Sequence, residues 1–163
     1  MRVRQTEHPL ILIVEVLIYV PSIANFRVNR LNDRLAAANT AALVLDAAPL
    51  GMVPDSLSRQ ILRSIGARAV AIKVGQQRRL LASADLPPAI GRDIDVRTMT
   101  AWSGIRDSFE IMLEIGNQAI RVIGPAPGGA QFIEVVIDEA PLRQAMYRFS
   151  RNLLLVSLGI AML

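Results

Sequence analysis

The feature that most constrains this chain is where its hydrophobicity sits. Apolar residues gather at the two ends, 10–26 and 153–163, and the stretch between reads as an ordinary globular sequence. At 163 residues there is room for one domain and little more. A hydrophobic share of 52% and a mean hydropathy of +0.38 are high for a soluble domain, and the two ends account for the excess.

The first run is short against the about 20 apolar residues a spanning helix needs, and it contains Glu15 and Pro21. Tyr19 and Phe26 are placed as interfacial aromatics. In lipid, Glu15 has to be protonated or face a partner helix. Pro21 is expected to kink or weaken the helix. Two readings are open. One is a transmembrane helix over 10–26 behind a cytoplasmic N-terminus at 1–9. The other is a secretory signal peptide, with Arg2 and Arg4 as its basic start and Ser22-Ile23-Ala24 as a cut site. The last run stops abruptly. It reads as the truncated start of a second transmembrane helix over 149–163, or as a buried C-terminal helix. Arg27, Arg30 and Arg34 follow the first run, and Arg143, Arg148 and Arg151 precede the last. Each such arginine is worth about 1 kcal/mol beside anionic lipid headgroups.

The middle, 27–148, is expected to be one small α+β domain. Val28, Leu31, Leu35, Ala38, Ala42 and Leu45 recur at heptad-like spacing. This seam either pairs two chains or packs on the domain's own sheet. Pro49 and Pro54 end the long helix. A short helix follows, capped by Asp55 or Ser56, with Leu57, Ile61 and Ile65 as its apolar face and Gly66 as its C′ residue. Val70, Ile72 and Val74 alternate, Gly75-Gln76-Gln77 turns, and 78–83 returns as a second strand. Pro87 and Pro88 mark a loop, and 93–97 is left unassigned. Helical spacing covers 99–113, with strands at 119–123 and 132–137. A terminal helix starts at Asp138, with its acids suited to the macrodipole and Pro141 to the first turn. Asp138, Leu142, Met146 and Phe149 mark it as the element that would carry a signal onward.

Several chemistries are excluded. No cysteine is present, so disulfides and thiolate metal sites are ruled out. His8 is the only histidine, which removes a histidine triad or cluster. Aromatics at 4% disfavour a stacking platform for single-stranded nucleic acid. The net charge is +4 and the pI about 10.6, but Arg59, Arg63, Arg68, Arg92, Arg97, Arg106 and Arg121 are dispersed along the chain, unlike a nucleic-acid-binding stripe. Glu110 and Glu114 share a helical face and read as solvated acids near Arg106. The glycines at 124, 128 and 129 lack the lysine of a phosphate loop. Lys73, Arg121 and Trp102 are the candidate ligand contacts. No catalytic residue, metal site or cofactor is assigned.

The stretch Glu15-Val-Leu-Ile-Tyr-Val-Pro-Ser-Ile-Ala-Asn-Phe-Arg27, followed by Leu31-Asn-Asp-Arg-Leu-Ala-Ala-Ala38, resembles the N-terminus of alphaproteobacterial sensor histidine kinases. Arg121-Val-Ile-Gly-Pro125 and Glu134-Val-Val-Ile-Asp-Glu-Ala-Pro-Leu142 resemble the end of that family's sensor region. The resemblance implies a PAS-like or Cache-like antiparallel sheet, between a long N-terminal helix and a C-terminal helix, with a membrane helix on each side. It places the domain in the periplasm of an inner-membrane homodimer. A kinase core would follow and pass phosphate to a response regulator. The alternatives are a stand-alone envelope binding or scaffold protein, or the same module feeding a cyclase or chemoreceptor. The stimulus, a small molecule, ion, lipid or protein, is not specified.

Overall fold

The computed structural model describes residues 7–47, 53–82, 89–126 and 130–161. Arg2, Arg4, Pro49, Pro87 and Pro88 lie outside them, as do the side chains of His8 and Leu45. The described elements run α1 (Glu7–Ala47), α2 (Asp55–Ile65), β1 (Ala69–Val74), β2 (Gln77–Ala82), β3 (Ile90–Asp95), α3 (Ala101–Leu113), β4 (Ala119–Gly124), β5 (Phe132–Asp138) and α4 (Glu139–Ala161).

The expected α+β class stands, but the sheet is mixed rather than antiparallel. Strand order is β2-β1-β5-β4-β3. β1 pairs antiparallel with β2 and β5, and β4 pairs antiparallel with β5. β3 and β4 are parallel. The reason is β3, which begins before the polar stretch left unassigned above. α3 connects it to β4, and a crossover helix of this kind returns the chain to a parallel strand.

One face of the sheet is apolar. Val70 and Ile72, Ile133, Val135 and Ile137, Ile120 and Val122, and Ile94 share a single core with α1. The heptad-like seam of α1 lies in that core: Leu31, Leu35, Ala38 and Ala42 are buried within the chain and Val28 is half-buried. Among the described residues the seam is therefore spent on the domain's own sheet and is not free for a second chain. The small residues let the helix lie close. A Cβ added to Gly124 in β4 would stand 2.5 Å from Leu35 Cδ1.

The opposite face is a polar ladder. Arg78 Nη2 pairs with Glu134 at 2.5 Å, Arg121 grips Asp93 with two nitrogens, and Arg97 does the same to Asp95. Such outward pairs fit the period-two pattern of a sheet with one solvated side.

Helix ends follow local chemistry. α2 has Pro54 at its N-cap, not Asp55 or Ser56, and Gly66 ends it in the left-handed conformation at φ 64°. Its inward face centres on Ser58 and Leu62, while Leu57 is exposed. Thr100 and Ser103 form a capping box that starts α3. At the start of α4, the Glu139 amide donates to the Gln118 carbonyl and the Ala140 amide to Asn117 Oδ1.

The two transmembrane helices are not supported. Among the described residues, no helix is long and apolar enough to cross a membrane. The physical reason is that the apolar runs are partly used as domain interior. Ile23 and Ala24 are buried, Phe26 stacks on Phe149 with ring centroids 4.4 Å apart, and the Tyr19 hydroxyl is hydrogen-bonded to that of Ser150. Arg27, one residue past the first run, is buried completely. Exposed apolar side chains remain among the described residues at 13–18 on α1, interrupted by Glu15, and at 154–160 on α4. Inner-membrane anchoring, which was built on those spans, loses its support with them. α1 itself is unbroken at Pro21, whose ring lies on an exposed face.

Candidate functional site

Two short arginine patterns and two single arginines converge on one cleft. Arg30 and Arg34 stand four apart on α1, and Arg59 and Arg63 four apart on α2, so each pair shares a helix face. Arg68 sits between α2 and β1, and Arg148 comes from α4. Together these six line a cleft of about 610 Å³. Leu62, Ile137 and Leu142 give it an apolar floor. The size lies within the roughly 300–1,000 Å³ typical of small-molecule sites.

The cleft is electropositive because its one carboxylate is already taken. Arg68 grips Asp138 through Nε and Nη2, at 3.0–3.3 Å. Arg34 Nη1 donates to the Ile65 carbonyl at 2.5 Å, where α2 ends. That carbonyl belongs to the negative end of the helix dipole, so a cation is favoured there. The close approach needs Gly66, since a Cβ at that residue would lie 2.6 Å from Arg34 Nη1. Arg30 rests over the Phe26 ring, 5.2 Å from its centroid. Arg59, Arg63 and Arg148 are exposed and have no ion pair or hydrogen bond among the described residues.

A second concentration of charge lies inside the helical layer. Arg27 of α1 is 0% exposed, and none of its three guanidinium nitrogens has a hydrogen-bond partner. Its nearest carboxylate is Asp107 on α3, at 4.0 Å. Burial pushes the Arg27 pKa down, and Asp107 opposes this only in part. Glu139, the first residue of α4, is 1% exposed with Oε1 unpartnered. Burial and then the Glu114 carboxylate push its pKa up, against Arg143, Arg92 and Arg27. The joint between β5 and α4 thus carries Asp138, held in the cleft, and Glu139, buried beside α1 and α3.

The sequence-based candidates fall elsewhere. Lys73 lies on the polar face of the sheet, 5.6 Å from the Phe132 ring centroid. Arg121 is on the same face, bound to Asp93, which raises its pKa. Trp102 is 80% exposed on the first turn of α3 and lines neither the cleft nor the smaller recess, about 240 Å³, between α1 and α3. The structure does not bring these three together. Glu110 and Glu114 do share a face, but Arg92 bonds both at 3.1 Å and Arg106 also takes Glu110. Among the described residues, no group of His, Asp and Glu side chains could hold a metal ion.

The residues named for signal transmission form one stripe. Asp138 lines the cleft, Leu142 and Met146 are buried in the core, and Phe149 stacks on Phe26. Reasoning from the sequence missed the cleft because its arginines are scattered over more than a hundred positions. The paired spacings at 30/34 and 59/63 were the visible signal.

Comparison with protein-family models, with curated proteins and with solved structures gives no match in any of the three.

Proposed function

We propose that this chain is a ligand-responsive input module, with the arginine cleft as its input and α4 as its output. One observation carries the reading. The cleft is walled by α1, by α2 and by the junction of β5 with α4, so an anion there contacts the first and last helices at once. A ligand shifts an equilibrium only by its differential affinity for two states. Five arginines without a carboxylate repel one another when the cleft is empty and are drawn together by an anion, which supplies that difference. α4 begins at the cleft wall, so a change in its packing on α1 is the natural consequence.

The resemblance to sensor histidine kinases makes the finer form of this proposal a sensory input domain that acts on a kinase core. A cyclase or chemoreceptor output would use the same element. Binding and helix movement suffice, and no catalytic step enters.

The absence of cysteine makes the test clean. Cysteines placed at the exposed positions Asn32 on α1 and Gln144 on α4 accept spin labels. Addition of citrate, sulfate or inorganic phosphate at matched ionic strength is expected to change the distance distribution between the labels. A distribution that no anion alters overturns the input reading.

A further inference from the structure

The geometry points to a phosphate-bearing anion as the ligand of the arginine cleft, a group with two or more negative charges and a short nonpolar portion. This deepens, and rests on, the reading of the cleft as an input site.

Charge comes first. Once Arg68 is spent on Asp138, Arg30, Arg34, Arg59, Arg63 and Arg148 still face one space, and no other carboxylate among the described residues lines it. A single carboxylate would neutralise one of these five. A phosphate monoester brings close to two negative charges and three strong acceptor oxygens. The form of the donors agrees. Each guanidinium is a planar fork that takes two oxygens of a phosphate at once, and several forks can grip different edges of one tetrahedral group.

The arginines also divide by freedom. Arg34 is held by the Ile65 carbonyl and Arg30 by the Phe26 ring, which makes a fixed back wall. Arg59, Arg63 and Arg148 are exposed and unpartnered among the described residues, so they are free to close over a ligand. The volume, about 610 Å³, is well beyond a single inorganic ion. The apolar floor of Leu62, Ile137 and Leu142 has a place for carbon atoms attached to the phosphate. Two sources offer this chemistry, a soluble phosphate monoester and the phosphate monoester headgroup of phosphatidic acid.

The test is calorimetric titration of the whole chain with pyrophosphate, glycerol phosphate and citrate at one ionic strength. It is paired with co-sedimentation on vesicles of phosphatidic acid, whose headgroup is a phosphate monoester, in phosphatidylcholine. The double variant Arg59→Gln/Arg63→Gln and the single variant Arg148→Gln change exposed, unpartnered side chains, and circular dichroism checks that both fold. The phosphates are expected to bind at one site, and the double variant to weaken them at least tenfold. Vesicle binding that the double variant abolishes and glycerol phosphate competes away supports the proposal and assigns the phosphate to a lipid. Solution binding without co-sedimentation supports it and assigns a soluble ester. Citrate bound more tightly than either phosphate overturns the ligand class and leaves the input reading standing. Phosphate or vesicle binding that the variants leave intact overturns the site. Phosphate binding with an unchanged α1–α4 distance overturns the input reading alone.

Discussion

Replacing Arg27 with methionine is expected to raise the stability of the chain by about 1–4 kcal/mol, the range seen when a buried ion gives way to an apolar residue of similar volume. The side chain is fully buried, and Nε, Nη1 and Nη2 all lack hydrogen-bond partners. The favourable side of the balance is led by one carboxylate, Asp107, at 4.0 Å, with weaker attraction from Glu139 and Glu110. At an effective dielectric constant of about 20, that pair is worth roughly 4 kcal/mol before screening. Asp107 is itself 23% exposed and has Arg106 3.9 Å away, so water and a second cation both reduce the figure. On the unfavourable side, desolvating a guanidinium costs several kcal/mol. Each buried donor left unbonded adds about 1–3 kcal/mol. The cost exceeds the gain, which agrees with the downward direction of the Arg27 pKa.

Methionine keeps the unbranched shape that fills the space and adds no polar atom. Asp107 retains solvent and Arg106, and Glu139, with its pKa already raised by burial, retains Arg143 and Arg92. Urea denaturation at neutral pH reads the effect as a higher midpoint at unchanged slope. Asp107→Asn is the control, and it should lower the midpoint because it removes the nearest counter-charge from a buried cation. A fall in midpoint for Arg27→Met, by an amount equivalent to about 1 kcal/mol or more, would falsify the reasoning. It would mean that the guanidinium is bonded in solution.

Three further outcomes follow from the same structure. Glu139 holds its proton more tightly folded than unfolded, so its contribution to stability is present below the ordinary carboxylate range and is lost as pH rises through the folded value. Thermal melts across pH should therefore show Glu139→Gln gaining on the parent as pH climbs toward neutrality; a gap that narrows instead reverses the sign. Gly124→Ala brings a Cβ to 2.5 Å from Leu35 Cδ1 and is expected to cost about 1–3 kcal/mol in urea, as overpacking does. Adding Leu35→Ala should make the double variant less costly than the two singles together. Thr100→Ala removes the capping box of α3 and should lower stability by about 1 kcal/mol, read as a lower melting temperature.

Much of the fold was legible because its signals are local. The alternation at Val70 and Ile72, the glycine after α2, the β-branched run of β5 and the stripe through Leu142, Met146 and Phe149 each report on a few adjacent residues, and each appears where its spacing put it. β3 was not legible, since its sequence, Ile90-Gly-Arg-Asp-Ile-Asp95, has only Ile94 buried and carries charges on an edge. Its parallel pairing depends on α3, which no strand pattern reveals. The apolar ends misled for a related reason. Hydropathy sums cannot distinguish residues that face lipid from residues that face another helix, and Ile23, Phe26 and Phe149 face a helix. The cleft was the least legible feature, because it is a property of tertiary approach among α1, α2 and α4.

The placement of charge around α1 explains why a ligand in the cleft would matter to the whole helical layer. Asp107 and Glu110 of α3 and Glu114 just past its end lie on one flank, already engaged by Arg27, Arg92 and Arg106. The arginines of α2 and α4 lie on the other, where the one carboxylate that lines the cleft among the described residues, Asp138, is held by Arg68. The acids of α3 therefore cannot relieve the cleft, and repulsion among its arginines falls on the contacts that hold α2 and α4 against α1. An anion bound there would remove that load at the point where α4 leaves the sheet. Anything that binds only the folded state adds to its stability by mass action, and under the proposed reading that stability would be gained at the α1–α4 joint. Affinity for the anion and the tightness of that joint are then one linked quantity, which is the condition an input module must meet.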